Sequence, residues 1–285
     1  MKGFSNKVAV ITGAASGIGF ALAELCVEKG IKVVLADIEE TALARAESEL
    51  RKAGADVMAV VTDVASREDI RNLAKTTLKT YRQVDLLFNN AGVAAGPALW
   101  ESSLNDCRWV IDVNLWGMIH CLREFIPLML EQETPAHIVN TSSIAGLSTY
   151  HPSSLYHLTK HGIVALSEQL YHDLALRGAK IGVSVLCPGF VNTRIMDAER
   201  NRPAAYANES SRTAGPADPM EEMFRQMVAA GMPPPEVAQL VFQAIAKKQF
   251  FIFTHPDEKS LIKMRMSNIL AGRNPVLPPP PDGIK

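Results

Sequence analysis

The chain has 285 residues, with 30 acidic against 29 basic side chains and 47% apolar residues. At about 100–200 residues per domain this allows one large domain or two small ones, and the apolar share supports a sizeable core, which excludes general disorder. A formal charge of -1 gives no electrostatic footprint for nucleic acid or an anionic membrane, and no apolar run approaches the roughly eighteen residues of a membrane span.

The opening Met-Lys-Gly-Phe-Ser-Asn runs into a strand-like block without the apolar stretch and cleavage site of a signal peptide. Val8–Ile11 is that first strand, followed by Ile18, Leu22 and Leu25 at helical spacing. Val33–Leu35 is a second strand and residues 40–52 an Ala/Glu-rich helix. Val57–Val61 is a third strand, and the next helix carries Ile70, Leu73, Ala74 and Leu78 on one face. Val84–Phe88 and Ile138-Val139 are further strands, separated by helical sequence with Leu115, Ile119 and Leu122. Ile163, Leu166, Leu170 and Leu174 mark a long helix before the strand Ile181–Leu186. Residues 194–235 lose this pattern and read as a mobile segment over a substrate. A helix at about 235–248, a strand at Phe250–Phe253 and a last helix follow. Residues 275–285, with Pro278–Pro281, read as a disordered polyproline-like tail.

These strands are nearly continuous apolar runs, as expected when helices cover both sheet faces. Strand–helix units of about thirty residues imply parallel pairing through right-handed crossovers. The expected fold class is α/β: a doubly wound, Rossmann-like parallel sheet flanked by helices, in a single domain over residues 1–274. Cys26, Cys107, Cys121 and Cys187 form no CxxC, so neither a disulfide framework nor a zinc site is suggested. A soluble, cytoplasmic protein is the expectation.

The first strand leads into Thr12-Gly13-Ala14-Ala15-Ser16-Gly17-Ile18-Gly19. Glycines at a strand-to-helix turn let the backbone approach a pyrophosphate, and the helix N-terminus supplies N–H groups and a positive dipole end. Such a cluster can also be no more than a tight turn. Asp37, eighteen residues beyond Gly19, stands near the spacing at which an acidic residue accepts from an adenosine ribose.

The glycine spacing is not GxGxxG. Thr12-Gly-x-x-x-Gly-x-Gly19, with Asn89-Asn90-Ala91-Gly92 and the pair Tyr156-x-x-x-Lys160, resembles the short-chain dehydrogenase/reductase family. The resemblance runs over roughly residues 7–255. Asn114 in Val-Asn-Leu, Ser143 thirteen residues before Tyr156, and Pro188-Gly189-Phe190-Val191-Asn192-Thr193 match further family positions. The TGxxGxxG loop of the longer epimerase-type branch is lacking, so the chain is similar to the compact, single-domain branch.

Residues four apart share a helix face, so the Lys160 ammonium can sit near the Tyr156 phenol. An unperturbed tyrosine has a pKa around 10, and each unit of depression needs about 1.4 kcal/mol. A cation at about 4 Å contributes roughly 1 kcal/mol in water and about 4 at an effective dielectric of 20. A partly dry site holding Lys160 and an oxidised nicotinamide is therefore needed to bring Tyr156 toward neutrality.

The resemblance implies that Tyr156 is the general acid/base, that Ser143 donates to the substrate oxygen, and that Lys160 holds the nicotinamide ribose while biasing Tyr156. It implies that Asn114 keeps a water linking Lys160 to solvent. Ser142 is the neighbour most easily confused with Ser143, and the thirteen-residue interval selects Ser143. For the cofactor, Gly13, Ser16, Gly17, Ile18 and Gly19 would cradle the pyrophosphate, and Asp37 and Ile38 would meet the adenosine ribose. Asp63 and Val64 would face the adenine. Asn90, Ala91 and Gly92 would line the adenosine end, and Pro188, Gly189, Val191 and Thr193 would meet the carboxamide. No metal is required. Because a 2′-phosphate needs a base and is repelled by a carboxylate, Asp37-Ile38 and Ala14-Ala15 favour NAD over NADP.

His157 and His161 interleave with Tyr156 and Lys160 and have no acidic partner between them in the metalloprotease manner, so they are read as exposed or subunit-facing. Met220, Met223, Phe224 and Met227 form a helically spaced stripe, either ordinary packing or an adaptable apolar lid. With Ile195, Met196 and Ala94-Ala95 it points to an apolar secondary alcohol or ketone as substrate. The expected function is an NAD-dependent alcohol dehydrogenase, a ketone reductase in reverse. The rivals are an NADP-dependent carbonyl or ketoacyl reductase and a non-catalytic NAD-sensing protein. The family's habit of pairing subunits through its two long helices implies a homodimer or homotetramer.

Overall fold

Seven short apolar runs form one parallel sheet: β1 (Val8–Thr12), β2 (Lys32–Asp37), β3 (Val57–Val61), β4 (Leu86–Asn89), β5 (Ala136–Thr141), β6 (Ile181–Cys187) and β7 (Phe251–Phe253). Their spatial order is β3-β2-β1-β4-β5-β6-β7, with every pairing parallel. The structure, a computed structural model, describes residues 3–94, 98–149, 153–208 and 219–277. The Pro278–Pro281 tail and Ala95 lie outside the described residues.

Every residue of β1 and β5 is buried. The pleat explains why: Ala9 and Ile11 enter one core, Val8 and Val10 the other. The first core is completed by α1 (Gly17–Glu28), α2 (Glu40–Lys52) and α8 (Pro234–Lys247), through Leu22, Leu43, Leu50 and Val241. The second is completed by α3 (Arg67–Tyr81), α5 (Gly117–Glu131) and α6 (Ser154–Leu176), through Ile70, Leu73, Phe125 and Ile163. Strands covered on both sides read as unbroken apolar blocks, and this is why periodicity located them. Strand and helix ends differ from the sequence reading by one or two residues at most ends, as frayed termini do.

The order reverses between β1 and β4, because the chain first winds outward through α1 to β2 and then returns to the other side of β1. At such a switch point the loops leaving neighbouring strands diverge and open a crevice at their carboxyl ends. The loops after β1, β4, β5 and β6 all meet there.

Two local features shape the crevice. Ser103 and Asp106 form a capping box that starts α4 (Leu104–Ile111). A π-helical turn, Asp112–Trp116, then joins α4 to α5 and swings Asn114 inward. Residues 194–235, read from sequence as a patternless mobile stretch, contain 3-10 turns at Ile195–Asn201 and Ala204–Tyr206 and the helix α7 (Pro219–Ala229). Residues 209–218 of that stretch lie outside the described ones. A last helix, α9 (Lys259–Leu270), closes the described chain. Among the described residues no helix is long and apolar enough to cross a membrane.

Candidate active site

Backbone, not side chains, builds the first wall. Gly13 and Gly17 have φ of 65° and 56°, conformations that side chains resist. A Cβ at Gly13 would stand 2.9 Å from the Ala91 Cα, and one at Gly19 would run into the Gly13 carbonyl. The Asn90 side chain stitches this turn to β4, donating to the Thr12 and Gly13 carbonyls at 3.2 and 3.4 Å. The Thr12 hydroxyl accepts from the Asn90 and Ala91 N–H groups at 3.0 and 3.1 Å.

At the start of α1, the N-cap Ser16 makes no side-chain cap bond and the first turn holds no acidic residue. Its N–H groups and dipole end therefore face the crevice without an anion from the chain. Asp37 closes the far side: its carboxylate accepts from Ala15 N at 2.9 Å and Glu39 N at 3.0 Å. Burial pushes its pKa up, and those backbone hydrogen bonds pull it down. A carboxylate has about four acceptor positions, so capacity remains.

The crevice is a cavity of about 920 Å³. It is lined at one end by Gly13, Ser16, Gly17, Ile18, Asp37, Ile38, Asp63 and Val64, and at the other by Ser143, Tyr156, Lys160, Pro188 and Gly189. Asn90, Ala91, Gly92, Val191 and Thr193 lie along it. Two sequence-predicted residues do not line it. Gly19 sits under the turn, where only hydrogen fits. Asn114, 1% exposed, is locked behind the wall: its Oδ1 accepts from Val93 N at 2.8 Å, and its Nδ2 donates to Val93 O at 2.9 Å and Thr159 Oγ1 at 3.2 Å. A Cβ on Gly92 would still be within 3.3 Å of the Asn114 Oδ1 and 3.4 Å of the Lys160 Nζ, so glycine leaves the gap between them open.

The reactive end brings three side chains together. Tyr156 and Lys160 lie one turn apart on α6, and the Lys160 Nζ is 5.4 Å from the Tyr156 ring centroid. Lys160 is 4% exposed and donates to Thr141 O at 3.1 Å; burial pushes its pKa down to about 8. Ser143, at the end of β5, accepts from Ala145 N at 3.1 Å, donates to Pro188 O at 3.3 Å and hydrogen-bonds the Tyr156 phenol. Ser142 points elsewhere, its hydroxyl donating to Lys160 O at 2.8 Å. Sequence reasoning makes an acidic Tyr156 phenol depend on both Lys160 and an oxidised nicotinamide. Burial pushes the Tyr156 pKa up, offset only in part by the Ser143 bond. The physical reason is that the dry wall that strengthens any nearby charge also penalises the phenolate itself.

The Pro188-Gly189 turn is backed by two polar side chains, the buried Thr254 and the half-buried Glu258. Gly189 N donates to Thr254 Oγ1 at 3.2 Å, and a Cβ at Gly189 would run into the Glu258 carboxyl. Burial pushes Glu258 up to about 7. Beyond the turn, Val191 bridges Met232 and Asn192 N donates to Met232 O at 3.0 Å, fixing the segment that carries Thr193.

Two sequence readings change, one on α6 and one on α7, which with the turns of residues 195–206 forms the roof of the cavity. His157, read as exposed or subunit-facing, is not exposed but 6% accessible within the chain, its Nδ1 2.9 Å from Ala145 O, and His161, half-buried, has Nδ1 2.9 Å from His157 O. Each Nδ1 is thus held by a backbone carbonyl, while the buried His161 Nε2 has no hydrogen-bond partner among the described residues. The apolar stripe of α7 that faces the cavity is Met220, Phe224 and Val228; Met223 and Met227 do not line it. The four-residue step, rather than the count of methionines, decides which side chains face inward.

Sequence reasoning missed the fastenings of the roof. Arg200 pairs with Glu39 at 2.9 Å, joining the roof to the loop after β2. The Arg202 guanidinium lies 4.2 Å from the Trp109 ring centroid and pairs with Asp106 at 2.8 Å and Glu199 at 2.6 Å. Tyr206 donates to Asp112 at 2.9 Å. Except for Glu199, three residues from Arg202, these partners are too distant in sequence to leave a local signal. Ile195 and Met196, by contrast, line the cavity as read.

A family model described as short chain dehydrogenase matches residues 7–204. The chain is 33% identical over 284 residues to a CLA biosynthesis dehydrogenase/reductase of Lactiplantibacillus plantarum, with 96% of this chain and 97% of that one covered. It is 34% identical over 277 residues to a 1-deoxy-11-beta-hydroxypentalenate dehydrogenase of Streptomyces exfoliatus, covering 96% and 92%. A crystal structure of a short-chain dehydrogenase/reductase from Burkholderia phymatum in complex with NAD superposes with a TM-score of 0.95 at 47% identity, over 98% of this chain and 99% of that one. The chain belongs to the short-chain dehydrogenase/reductase family of oxidoreductases.

Proposed function

We propose that the protein is an NAD-dependent alcohol dehydrogenase, and a ketone reductase in reverse, acting on an apolar secondary alcohol. One observation carries the reading: Ser143, Tyr156 and Lys160 converge at one end of a cavity whose other end is the glycine turn and Asp37. A bound nicotinamide supplies hydride transfer at the substrate carbon and, when oxidised, a positive charge. The residues present fit such a dinucleotide, because Gly13, Ser16 and Gly17 line the cavity at the α1 N-terminus, which lacks an anion of its own.

Ser143 positions the substrate oxygen and donates to the charge that develops there. Tyr156 takes the alcohol proton during oxidation and returns it during reduction. Lys160 holds a cation beside the phenol in a dry wall, where opposite charge favours phenolate more than it does in water. Asn114, fixed by the Val93 backbone and Thr159, orients the gap beside Lys160 through which the proton leaves. Two macroscopic ionisations are expected from so close a pair. Asp37 supports NAD over NADP, since its carboxylate would repel a 2′-phosphate. The apolar lining, Val93, Ile195, Met196, Phe224 and Val228, supports an apolar substrate, as does the hydroxylated compound in the name of the Streptomyces relative.

The cofactor arm is tested by paired kinetics, in which NAD shows the lower KM; a lower KM for NADP would transfer the assignment to a carbonyl or ketoacyl reductase. The substrate arm is tested with a panel of alcohols, and faster turnover of sugars or polyols than of apolar secondary alcohols would overturn it.

A further inference from the structure

Arg194 follows Thr193 at the point where the segment after β6 passes the start of α1. Thr193 packs there: a Cβ on Gly17 would be 3.0 Å from its Cγ2. Arg194 lines the main cavity with Ser16 and Gly17, and lines with the same two residues an adjoining pocket of about 310 Å³. Among the described residues, three cations line the main cavity: Lys160, Arg194 and Arg200. Lys160 is bonded to Thr141 O and Arg200 is paired with Glu39. The Arg194 side chain makes no hydrogen bond or ion pair with a described residue; its charge helps to hold the Asp197 carboxyl below the usual range, but that carboxylate is paired with Arg225.

We propose that Arg194 clamps the diphosphate of the dinucleotide, a cation lent by the substrate-side segment to an anion held by the α1 N-terminus. The inference rests on the dinucleotide reading above. A helix N-terminus offers about half a charge, against two on a diphosphate, and the Ala14-Ala15 turn adds no base. A guanidinium supplies the missing charge and a planar fork that matches phosphate oxygens. The root of the side chain is already fixed, because Arg194 O accepts from the Arg200 Nη1 at 2.9 Å. Binding thus fastens the roof to the cofactor at Arg194, as Arg200 fastens it to the loop after β2.

The test is binding of NADH and of ADP-ribose to the full chain by calorimetry, with Arg194→Gln, Arg194→Lys and Arg177→Gln, the last at the exposed end of α6. Arg194→Gln is expected to weaken both ligands by about ten- to a hundredfold. Arg194→Lys should recover part of the loss, and Arg177→Gln should stay within about twofold, as a distant screened charge does. The unliganded melting temperature of Arg194→Gln should match the wild type. Equal affinity of Arg194→Gln and wild type, an equal loss in Arg177→Gln, or a loss for NADH without one for ADP-ribose would each overturn the clamp. Wild-type protein that binds neither ligand would instead overturn the dinucleotide reading, and the clamp with it.

Discussion

The turn after β1 and the segment after β6 face each other across one crevice and are held in opposite ways. The first is built from backbone: glycines at positive φ, a carbonyl against a missing Cβ, and Asn90 bridging the two loops. The second is built from side chains: Arg202 over Trp109, Arg200 on Glu39, Tyr206 on Asp112. Backbone close approach tolerates almost no substitution, whereas a guanidinium on a carboxylate can be exchanged at modest cost. A fixed wall and a more exchangeable roof follow, the kind of arrangement by which one fold can serve many substrates.

Substitutions can sharpen this contrast. The largest effect is expected at the shared end of the crevice, where Lys160→Ala should lower kcat/KM by about 10²–10⁴-fold, as loss of a group that supports acid–base catalysis does. On the cofactor wall, Gly19→Ala forces a Cβ against the Gly13 carbonyl. Overpacking of this kind costs about 1–3 kcal/mol. At about 2–4 °C per kcal/mol the melting temperature should fall measurably, and NADH affinity should fall with it. On the roof, Arg202→Ala should raise the substrate KM several-fold while NADH affinity stays within about twofold. Equal losses of both affinities would erase the proposed division between wall and roof.

The smallest effect concerns the turn behind Pro188. Glu258 has its folded pKa raised from 4.5 to about 7, so the folded state binds the proton more tightly than the unfolded one. That contribution to stability is fully present below 4.5 and is lost as pH rises through about 7. Urea titrations across this window should show stability falling with pH in the wild type, with that part of the slope absent in Glu258→Gln. Lys160 works with the opposite sign. Its folded pKa of about 8 lies below the ordinary 10.5, so the folded state holds this proton less tightly, and stability should rise with pH between those values.

The same contrast governs what the sequence could reveal. The β1 turn was legible because its determinants are consecutive: Gly13, Gly17 and Gly19, then Asp37 at the end of the next strand. Ser143, Tyr156 and Lys160 were legible because strand ends and one helical turn bring fixed spacings to one place. The placing of Asn114 behind the wall, rather than in it, depends on a π-helical turn that no spacing announces. The burial of His157 depends on Ala145, twelve residues away across a loop. The roof was least legible, since Glu39 and Arg200 stand 161 residues apart and only the folded chain makes them partners. The spacing of Tyr156 and Lys160 reports the neighbouring ammonium but not the dryness around the phenol, whose burial pushes its pKa up.

The account turns on the Tyr156 hydroxyl as the proton carrier, and Tyr156→Phe tests it most directly when NADH binding and a single turnover are measured on the same preparation. The account predicts a binding constant within about threefold of wild type and a hydride-transfer rate lowered by about 10²–10⁴-fold. A variant that binds NADH normally and reduces ketone within tenfold of the wild-type rate would contradict it.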